Sequence, residues 1–131
     1  MENIFDRNLV GIVLEQMREC VRSDRFVVKQ TGKNKAFIAE YGLSRKMQQD
    51  LLLCIKVGDY FNSSESRNFP DKYVHEFCPT FELLTCEGTP EEVSTYVKFE
   101  IERDRAENYT VVISLHTAER MVCYPFSDEG V

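Results

Sequence analysis

The chain has 131 residues, a net charge of −6, and hydrophobic and charged shares of 43% and 29%. These values are typical of one globular domain that needs neither a disulfide nor a metal to hold its core. A membrane span is excluded, because the longest apolar run has five residues and a span requires ~20. With no signal-peptide pattern at the N-terminus, we expect a single cytoplasmic domain over residues 1–131 without membrane contact, and a loose tail at 127–131.

Helices are predicted in the first half of the chain, because apolar residues recur there at three- and four-residue steps. The predicted helical segments are 8–21, 35–41 and 45–56. Asp6 or Asn8 can cap the start of the first helix. Residues 31–34 have turn composition, Gly42 suits the C-terminal end of the second helix, and Ser44 is a typical N-cap for the third.

Strands are predicted mainly in the second half, where the apolar period changes from 3.6 to 2 residues. Val97, Phe99 and Ile101 alternate with polar or aromatic residues, which is typical of a half-buried antiparallel strand. The predicted strands are 26–30, 73–78, 80–86, 95–102, 109–116 and 121–124, and a polar loop is predicted at 62–71. Helices that precede strands favour an α+β fold, with the N-terminal helices packed on one face of an antiparallel β-sheet.

Charge is distributed unevenly along the chain. Residues 1–50 contain nine Lys or Arg and seven Asp or Glu, whereas residues 51–131 contain seven and fifteen. A net acidic protein binds nucleic acid poorly unless it has a local basic patch. The basic residues between 18 and 46 form the one stretch that could attract a phosphate backbone, although a solvated helix and loop surface is the simpler explanation.

The five cysteines include no C-x-x-C pair, and neither histidine has zinc-finger spacing from them. The expected role is that of small buried residues, since Cys20, Cys54 and Cys123 lie in apolar segments. A catalytic cysteine with a distant histidine is the alternative. The sequence contains no glycine-rich phosphate loop, metal-ligand cluster or nucleophile elbow, so no metal or other cofactor is predicted.

The candidate acid–base groups are His75 and His116, because histidine titrates near neutral pH. Strand alternation places Ser114 with His116 on one face, and Tyr96 with Lys98 on one face of the preceding strand. If the strands pair suitably, these four residues share a polar surface that His75 could join. Metal-free RNA cleavage needs such groups, because the 2′-hydroxyl loses a proton, the 5′-oxygen gains one and the charge at phosphorus is stabilised. Taken singly, each residue also has an ordinary explanation as a surface or packing side chain.

Short motifs in a fixed order resemble those of MqsR family toxins and together span residues 9–126. Gly58-Asp59-Tyr60-Phe61-Asn62-Ser63, which follow the third predicted helix, look like the "DFYKS"-like turn of that family. The other similar segments are the helix region 41–56, 73–77 ("WQDVY"-like), 95–99 ("VYLK"-like), 111–116 ("VSFK"- or "ISFH"-like) and 124–126, which is similar to the tail of longer members.

The resemblance implies a RelE-like fold, mRNA interferase activity without a metal, RNA as substrate and a protein antitoxin as partner; a homodimer is compatible with it. The family's turn lysine falls on Asn62 and its "WQ" glutamine falls on His75. Its "VY" tyrosine falls on Tyr96 and its last lysine falls on His116. Three of these four positions differ from the best-known pattern. The two histidines would preserve acid–base capacity, whereas charge stabilisation would fall to Lys98.

The leading hypothesis is therefore a metal-independent endoribonuclease, an mRNA interferase-like toxin. His116 and His75 would exchange protons with the RNA, Tyr96 would orient the substrate or share in proton transfer, and Lys98 would hold the phosphate. The predicted substrate-binding residues are Asn62, Ser114 and Tyr60.

The alternative hypothesis is a non-enzymatic binding or inhibitor protein, encoded by a phage or mobile element, whose acidic sheet face engages a basic partner. That face would consist of Glu76, Glu82, Glu87, Glu91, Glu92, Glu100, Glu102, Asp104 and Glu107. The two hypotheses differ in where they place the histidines, because histidines on opposite faces, or buried in separate hydrogen bonds, argue against the enzyme. A third hypothesis is a degenerate member of the toxin fold that only dimerises or regulates.

Overall fold

Side-chain caps start the helices close to where the sequence predicts them. In the computed structural model, which describes residues 5–67, 72–104 and 106–126, the helices are α1 (Arg7–Arg22), α2 (Gly32–Glu40) and α3 (Arg45–Leu53). The Asp6 carboxylate accepts a hydrogen bond from the backbone N–H of Leu9 at 2.8 Å. The Ser44 hydroxyl accepts one from the N–H of Met47 at 3.2 Å. Each cap satisfies an N–H group that the helix itself leaves without an acceptor.

Two helix boundaries differ from the prediction. α2 begins directly after Thr31, in the segment predicted as a turn, because the Thr31 hydroxyl accepts from an N–H three residues later and acts as a helix cap. α3 ends three residues early and is followed by a 3₁₀ turn, Val57–Asp59, which the Asp59 carboxylate stabilises by accepting from the N–H of Lys56. Gly42 has the positive φ, +59°, that glycine tolerates after a helix, as predicted.

The strands of the described residues form one sheet. They are β1 (Phe26–Val28), β2 (Tyr60–Glu65), β3 (Tyr73–Phe77), β4 (Thr80–Leu84), β5 (Pro90–Asp104) and β6 (Glu107–Thr117). The order across the sheet is β1-β6-β5-β3-β2, and β4 pairs with the first part of β5. β1 runs parallel to β6, whereas the other pairs are antiparallel, so the sheet is mixed rather than wholly antiparallel. A parallel pair needs a long connection, which the intervening helices and strands supply.

The prediction of a loop at 62–71 is wrong over its first part, because β2 begins at Tyr60 and continues to Glu65. Asn62 and Ser63 of β2 are buried and form hydrogen bonds with β3, whereas Glu65 is exposed. The Asn62 amide donates to the Glu76 carboxylate at 2.7 Å, and the Ser63 hydroxyl lies 2.8 Å from a ring nitrogen of β3. The polar composition of this segment therefore predicted a loop, although its side chains form hydrogen bonds with the neighbouring strand β3.

The predicted strand at 121–124 is absent, and the chain there has no regular secondary structure. Instead, the Tyr124 hydroxyl donates to the Cys78 carbonyl at 2.7 Å, and the Phe126 ring stacks on Tyr60 at a centroid distance of 5.8 Å. Side-chain contacts thus hold this segment beside β2 and β3. Residues 68–71 of the predicted loop, and the predicted loose tail 127–131, lie outside the described residues.

The helices pack on one face of the sheet, which confirms the predicted α+β arrangement. One apolar core joins helix residues to alternate strand residues, including Val10, Leu14, Met17, Leu52, Phe77, Val97, Phe99, Val112 and Leu115. The opposite face of the sheet, named the outer face here, is mainly polar. Its residues include Asn62, Ser64, Val74, Glu76, Tyr96, Lys98, Glu100, Ser114 and His116. None of the helices in the described ranges has the length and apolar character to cross a membrane.

Candidate functional site on the outer face

Polar groups from β5 and β6 meet near the middle of the outer face. Tyr96 pairs with His116 and Lys98 pairs with Ser114 across the two strands. Side chains of such pairs are direct neighbours, and the rings of Tyr96 and His116 have centroids 5.4 Å apart. The structure therefore places these four residues side by side, as strand alternation predicts. Their catalytic roles stay a prediction.

His75 lies on the core face and does not join this group. The side chain is 6% exposed, and its Nδ1 lies 2.8 Å from the Ser63 hydroxyl. Burial lowers the pKa of His75 to about 4, so the ring is neutral at pH 7. The prediction that His75 shares a surface with His116 is wrong, because the pairing of β3 with β5 puts Glu76, and not His75, opposite Lys98.

Tyr60 is also in the core and not on a surface that could bind RNA. The side chain is fully buried, and its hydroxyl lies 2.7 Å from the Ser63 hydroxyl and accepts from the N–H of Phe5 at 3.0 Å. The predicted substrate-binding role of Tyr60 is therefore contradicted by its position. A bulge in β2 follows Tyr60, and Asn62 lies beyond it on the outer face.

Glu76 is a member of the site that the sequence analysis did not connect with Tyr96. Its carboxylate accepts from the Asn62 amide through Oε2 and from the Tyr96 hydroxyl through Oε1. Burial, followed by the neighbouring Glu76 carboxylate, raises the pKa of Tyr96, so the phenol is protonated at neutral pH. Alternation alone allows either His75 or Glu76 on the outer face, and the pairing of β3 with β5 places Glu76 there.

A cavity of about 260 Å³ opens beside Tyr96 and His116. Its walls include Phe61, Cys78, Tyr96, His116, Glu119 and Arg120. Ligand pockets typically measure ~300–1,000 Å³, so this cavity suits one ring-sized group. Phe61, whose ring centroid is 6.0 Å from that of Tyr96, adds an aromatic wall on which a nucleobase could stack. Sequence reasoning missed Phe61 because it sits at the bulge of β2, which no local pattern reveals.

His116 can act as a base through Nε2. The Nδ1 atom lies 3.0 Å from the carbonyl oxygen of Thr117, and a carbonyl oxygen only accepts hydrogen bonds. Nδ1 therefore carries the hydrogen in the neutral ring, and Nε2 carries the lone pair. The side chain is half-buried, so a substrate entering from the cavity can reach it.

Positive charge near the site comes from Lys98 on the outer face and from Arg120 in the cavity wall. Most of the basic stretch between 18 and 46 is instead paired with acidic residues of the same chain. The ion pairs are Arg18 and Arg22 with Glu15, Arg25 with Glu107, Lys33 with Glu119, Arg45 with Asp24, and Lys46 with Asp50. Lys98 and Arg120 are therefore the cations nearest to Tyr96 and His116 that these ion pairs do not involve.

The acidic residues do not form one continuous face. Glu91 lies on the helix side, where it accepts a hydrogen bond from the Tyr41 hydroxyl at 2.8 Å, and Glu76 and Glu100 are buried. The side chain of Asp104 lies outside the described part of the structure. The other acidic residues divide between the β4–β5 end (Glu82, Glu87 and Glu92) and the β5–β6 hairpin (Glu102 and Glu107).

The positions of the cysteines bear on two predictions, that they are small buried residues and that one of them is a catalytic nucleophile. Cys20 is buried as expected, whereas Cys54, at the end of α3, and Cys123, in the C-terminal segment without regular structure, are exposed. Cys78 lines the cavity that His116 also lines, but burial raises the pKa of its thiol, which disfavours a thiolate nucleophile at neutral pH. Over the residues that the structure describes, no three His, Cys, Asp or Glu side chains are placed to hold a metal ion.

Comparison with known protein families and with curated proteins found no match for the chain in either case. Its function therefore has to be inferred from the residues of the outer face.

Proposed function

We propose that the protein is a metal-independent endoribonuclease of the mRNA interferase type with a RelE-like fold, as its MqsR-like motifs imply. The supporting observation is the pairing of Tyr96 with His116 beside a cavity of about 260 Å³. Arg120 lies in the cavity wall, and Lys98 lies on the next cross-strand pair. One face thus offers a base, a hydroxyl donor and two cations, which are the groups that cleavage by the RNA 2′-hydroxyl requires.

The proposed reaction transfers the phosphoryl group within the RNA. Nε2 of His116 takes the proton of the 2′-hydroxyl, and the 2′-oxygen forms a bond to phosphorus. The bond between phosphorus and the 5′-oxygen breaks, and that oxygen takes the proton of the Tyr96 hydroxyl, which leaves its hydrogen bond to Glu76 for this step. The products are a 2′,3′-cyclic phosphate and a 5′-hydroxyl. The proton on His116 returns to the Tyr96 phenolate through solvent and so restores both groups.

The neighbouring residues fit supporting roles. Glu76 holds the Tyr96 hydroxyl in place before the reaction, and Asn62 acts through Glu76 as a positioning residue. Lys98 and Arg120 stabilise the charge that develops on the phosphate oxygens. Because the pKa of Tyr96 is raised, the phenol is protonated at neutral pH but is a weak acid, so we expect slow cleavage.

The test is cleavage of a defined RNA by the purified protein in EDTA, followed by analysis of the product ends. We expect a 2′,3′-cyclic phosphate from the wild type and a rate at least about 100-fold lower from His116→Ala. His75→Gln is the matched control, because glutamine can keep the hydrogen bond to Ser63 and the residue lies on the core face. We expect its rate to be nearly unchanged. Intact RNA with folded wild type, or full activity of His116→Ala, would refute the proposal.

A binding protein without catalysis is the second candidate. The location of His75 and His116 on opposite faces favours it over any mechanism that needs both histidines. Because the acidic residues are divided, such a partner would engage the β4–β5 end, where Glu82 pairs with Glu92. Salt-sensitive binding of a Lys-rich peptide, weakened in a Glu82→Gln/Glu92→Gln variant, together with intact RNA, would support this candidate. An antitoxin partner, a homodimer and a purely regulatory role stay predictions.

A further inference from the structure

A second cleft lies on the outer face beside the proposed ribonuclease site. Its volume is about 360 Å³, and its walls include Lys29, Arg67, Lys98 and Glu100. Lys98 and Glu100 follow Tyr96 at two-residue steps along β5, so all three point to the outer face. Tyr96 and Glu100 are separated by roughly 13 Å at the usual rise of a strand. A short stretch of single-stranded RNA could therefore occupy both cavities and pass over Lys98.

Glu100 is the residue of this cleft that requires an explanation. It is 3% exposed, yet its Oε2 atom has no hydrogen-bond partner among the described residues. A buried acceptor without a donor is costly, and native structures contain few of them. Burial and the neighbouring Glu102 raise the pKa of Glu100, while Ser66 and Lys29 oppose that rise. The other charged groups in the walls of the cleft are Glu65, Arg67 and Lys98.

We propose that this cleft is a base-binding subsite, in which Oε2 of Glu100 accepts a hydrogen bond from the exocyclic amino group of an unpaired nucleobase. The inference rests on the proposed ribonuclease function and names the bases that it prefers. Carboxylates accept hydrogen bonds from the amino group of cytosine, and unpaired bases expose that edge to proteins. Lys29, Arg67 and Lys98 are placed in the walls to attract the flanking phosphates.

Uracil provides the matched comparison for cytosine. The two bases have the same shape, but uracil carries a carbonyl oxygen where cytosine carries the amino group. That oxygen would face the acceptor Oε2, so the cleft should reject uracil. We therefore expect the cleft to bind a base with an amino group more tightly than uracil. This difference in affinity should come from the carboxylate of Glu100.

The experiment measures binding, by fluorescence anisotropy, of 2′-O-methyl tetranucleotides of cytidine and of uridine at low salt. The methyl group blocks the nucleophile, so binding is read independently of cleavage. We expect the wild type to bind the cytidine oligonucleotide at least about tenfold more tightly. In Glu100→Gln the ratio should approach one, because an amide offers both a donor and an acceptor. Glu92→Gln, an exposed carboxylate of the same strand, is the control and should keep the ratio.

A test without any substitution guards against misfolding of the Glu100 variant. An oligonucleotide of N4,N4-dimethylcytidine lacks the amino hydrogens and should bind the wild type as weakly as the uridine oligonucleotide. Equal binding of the cytidine and uridine oligonucleotides, no binding of either, or an unchanged ratio in folded Glu100→Gln would overturn the inference. A preference for cytidine without RNA cleavage would support the base-binding subsite and refute the ribonuclease proposal. RNA cleavage without a preference for cytidine would support the ribonuclease proposal and refute the subsite.

Discussion

The stability of the fold should depend on pH through His75. Burial lowers the pKa of this ring to about 4 from its ordinary value of 6.5, so between these values the unfolded chain binds a proton that the folded chain does not. The free energy of unfolding therefore falls as the pH falls through this window, and the stabilisation is fully present only above pH 6.5. Proton linkage gives a loss of about 2 kcal/mol between pH 7.5 and pH 5, and about 3 kcal/mol by pH 4.

Urea denaturation of the wild type and of His75→Gln at pH 7.5 and pH 5 would measure this effect. Glutamine can retain a hydrogen bond to Ser63 but does not titrate, so the variant should lose less stability on acidification, by about 2 kcal/mol. His116 is present in both proteins, and its contribution cancels in the comparison. If both proteins lose the same stability between the two pH values, His75 is not a buried neutral ring and the reasoning is refuted. An NMR titration of the His75 ring would measure the pKa directly.

Three further predictions follow from contacts of the site and the core. Glu76→Gln removes the second cause of the raised pKa of Tyr96, so the phenol should titrate at a lower pH in ultraviolet absorbance; an unchanged titration would contradict the Glu76 contact. Asn62→Ala leaves a buried oxygen of Glu76 without its donor and should reduce the free energy of unfolding in urea by about 1–3 kcal/mol; no loss would mean that water replaces the amide. Leu14→Ala, in the core side of α1, should cost about 2–5 kcal/mol, whereas Leu9→Ala, 46% exposed, should change stability by less than about 0.5 kcal/mol; equal effects would contradict the packing of α1.

Local signals in the sequence were sufficient where an element depends on its own residues. Asp6 and Ser44 cap helices because their side chains reach N–H groups three residues away, which is a relation visible in the sequence. The alternation of Val97 with Phe99 likewise identifies β5 without knowledge of its partners. β2 could not be found in this way, because Asn62 is buried only when Glu76 of another strand accepts its hydrogen bond.

The residues of the candidate site also divide into those that local patterns identify and those that depend on contacts between distant segments. Tyr96 and His116 could be placed together because they lie near the paired ends of consecutive strands of one hairpin, although a bulge beyond Ser114 puts Val112, two residues away, in the core. The residue of β3 that faces them could not be chosen, since a shift of one residue exchanges His75 for Glu76. Only the pairing between β3 and β5, set by the whole core, decides it. Phe61 and Arg120 enter the cavity from a bulge and from a segment without regular structure, and neither has a periodic signal.

The pairing of β1 with β6 also affects how the chain can fold while it is being synthesised. β6 joins the sheet between β1, which is made early, and β5, which is made late. Until β6 has left the ribosome, β1 has no partner strand, and apolar side chains of α1 such as Met17 lack the sheet surface that covers them. We expect cotranslational folding to be delayed until that point, with the nascent helices open to chaperones. His116 lies near the end of β6, so a nuclease built on this plan would stay inactive towards the messenger that encodes it until that strand is in place.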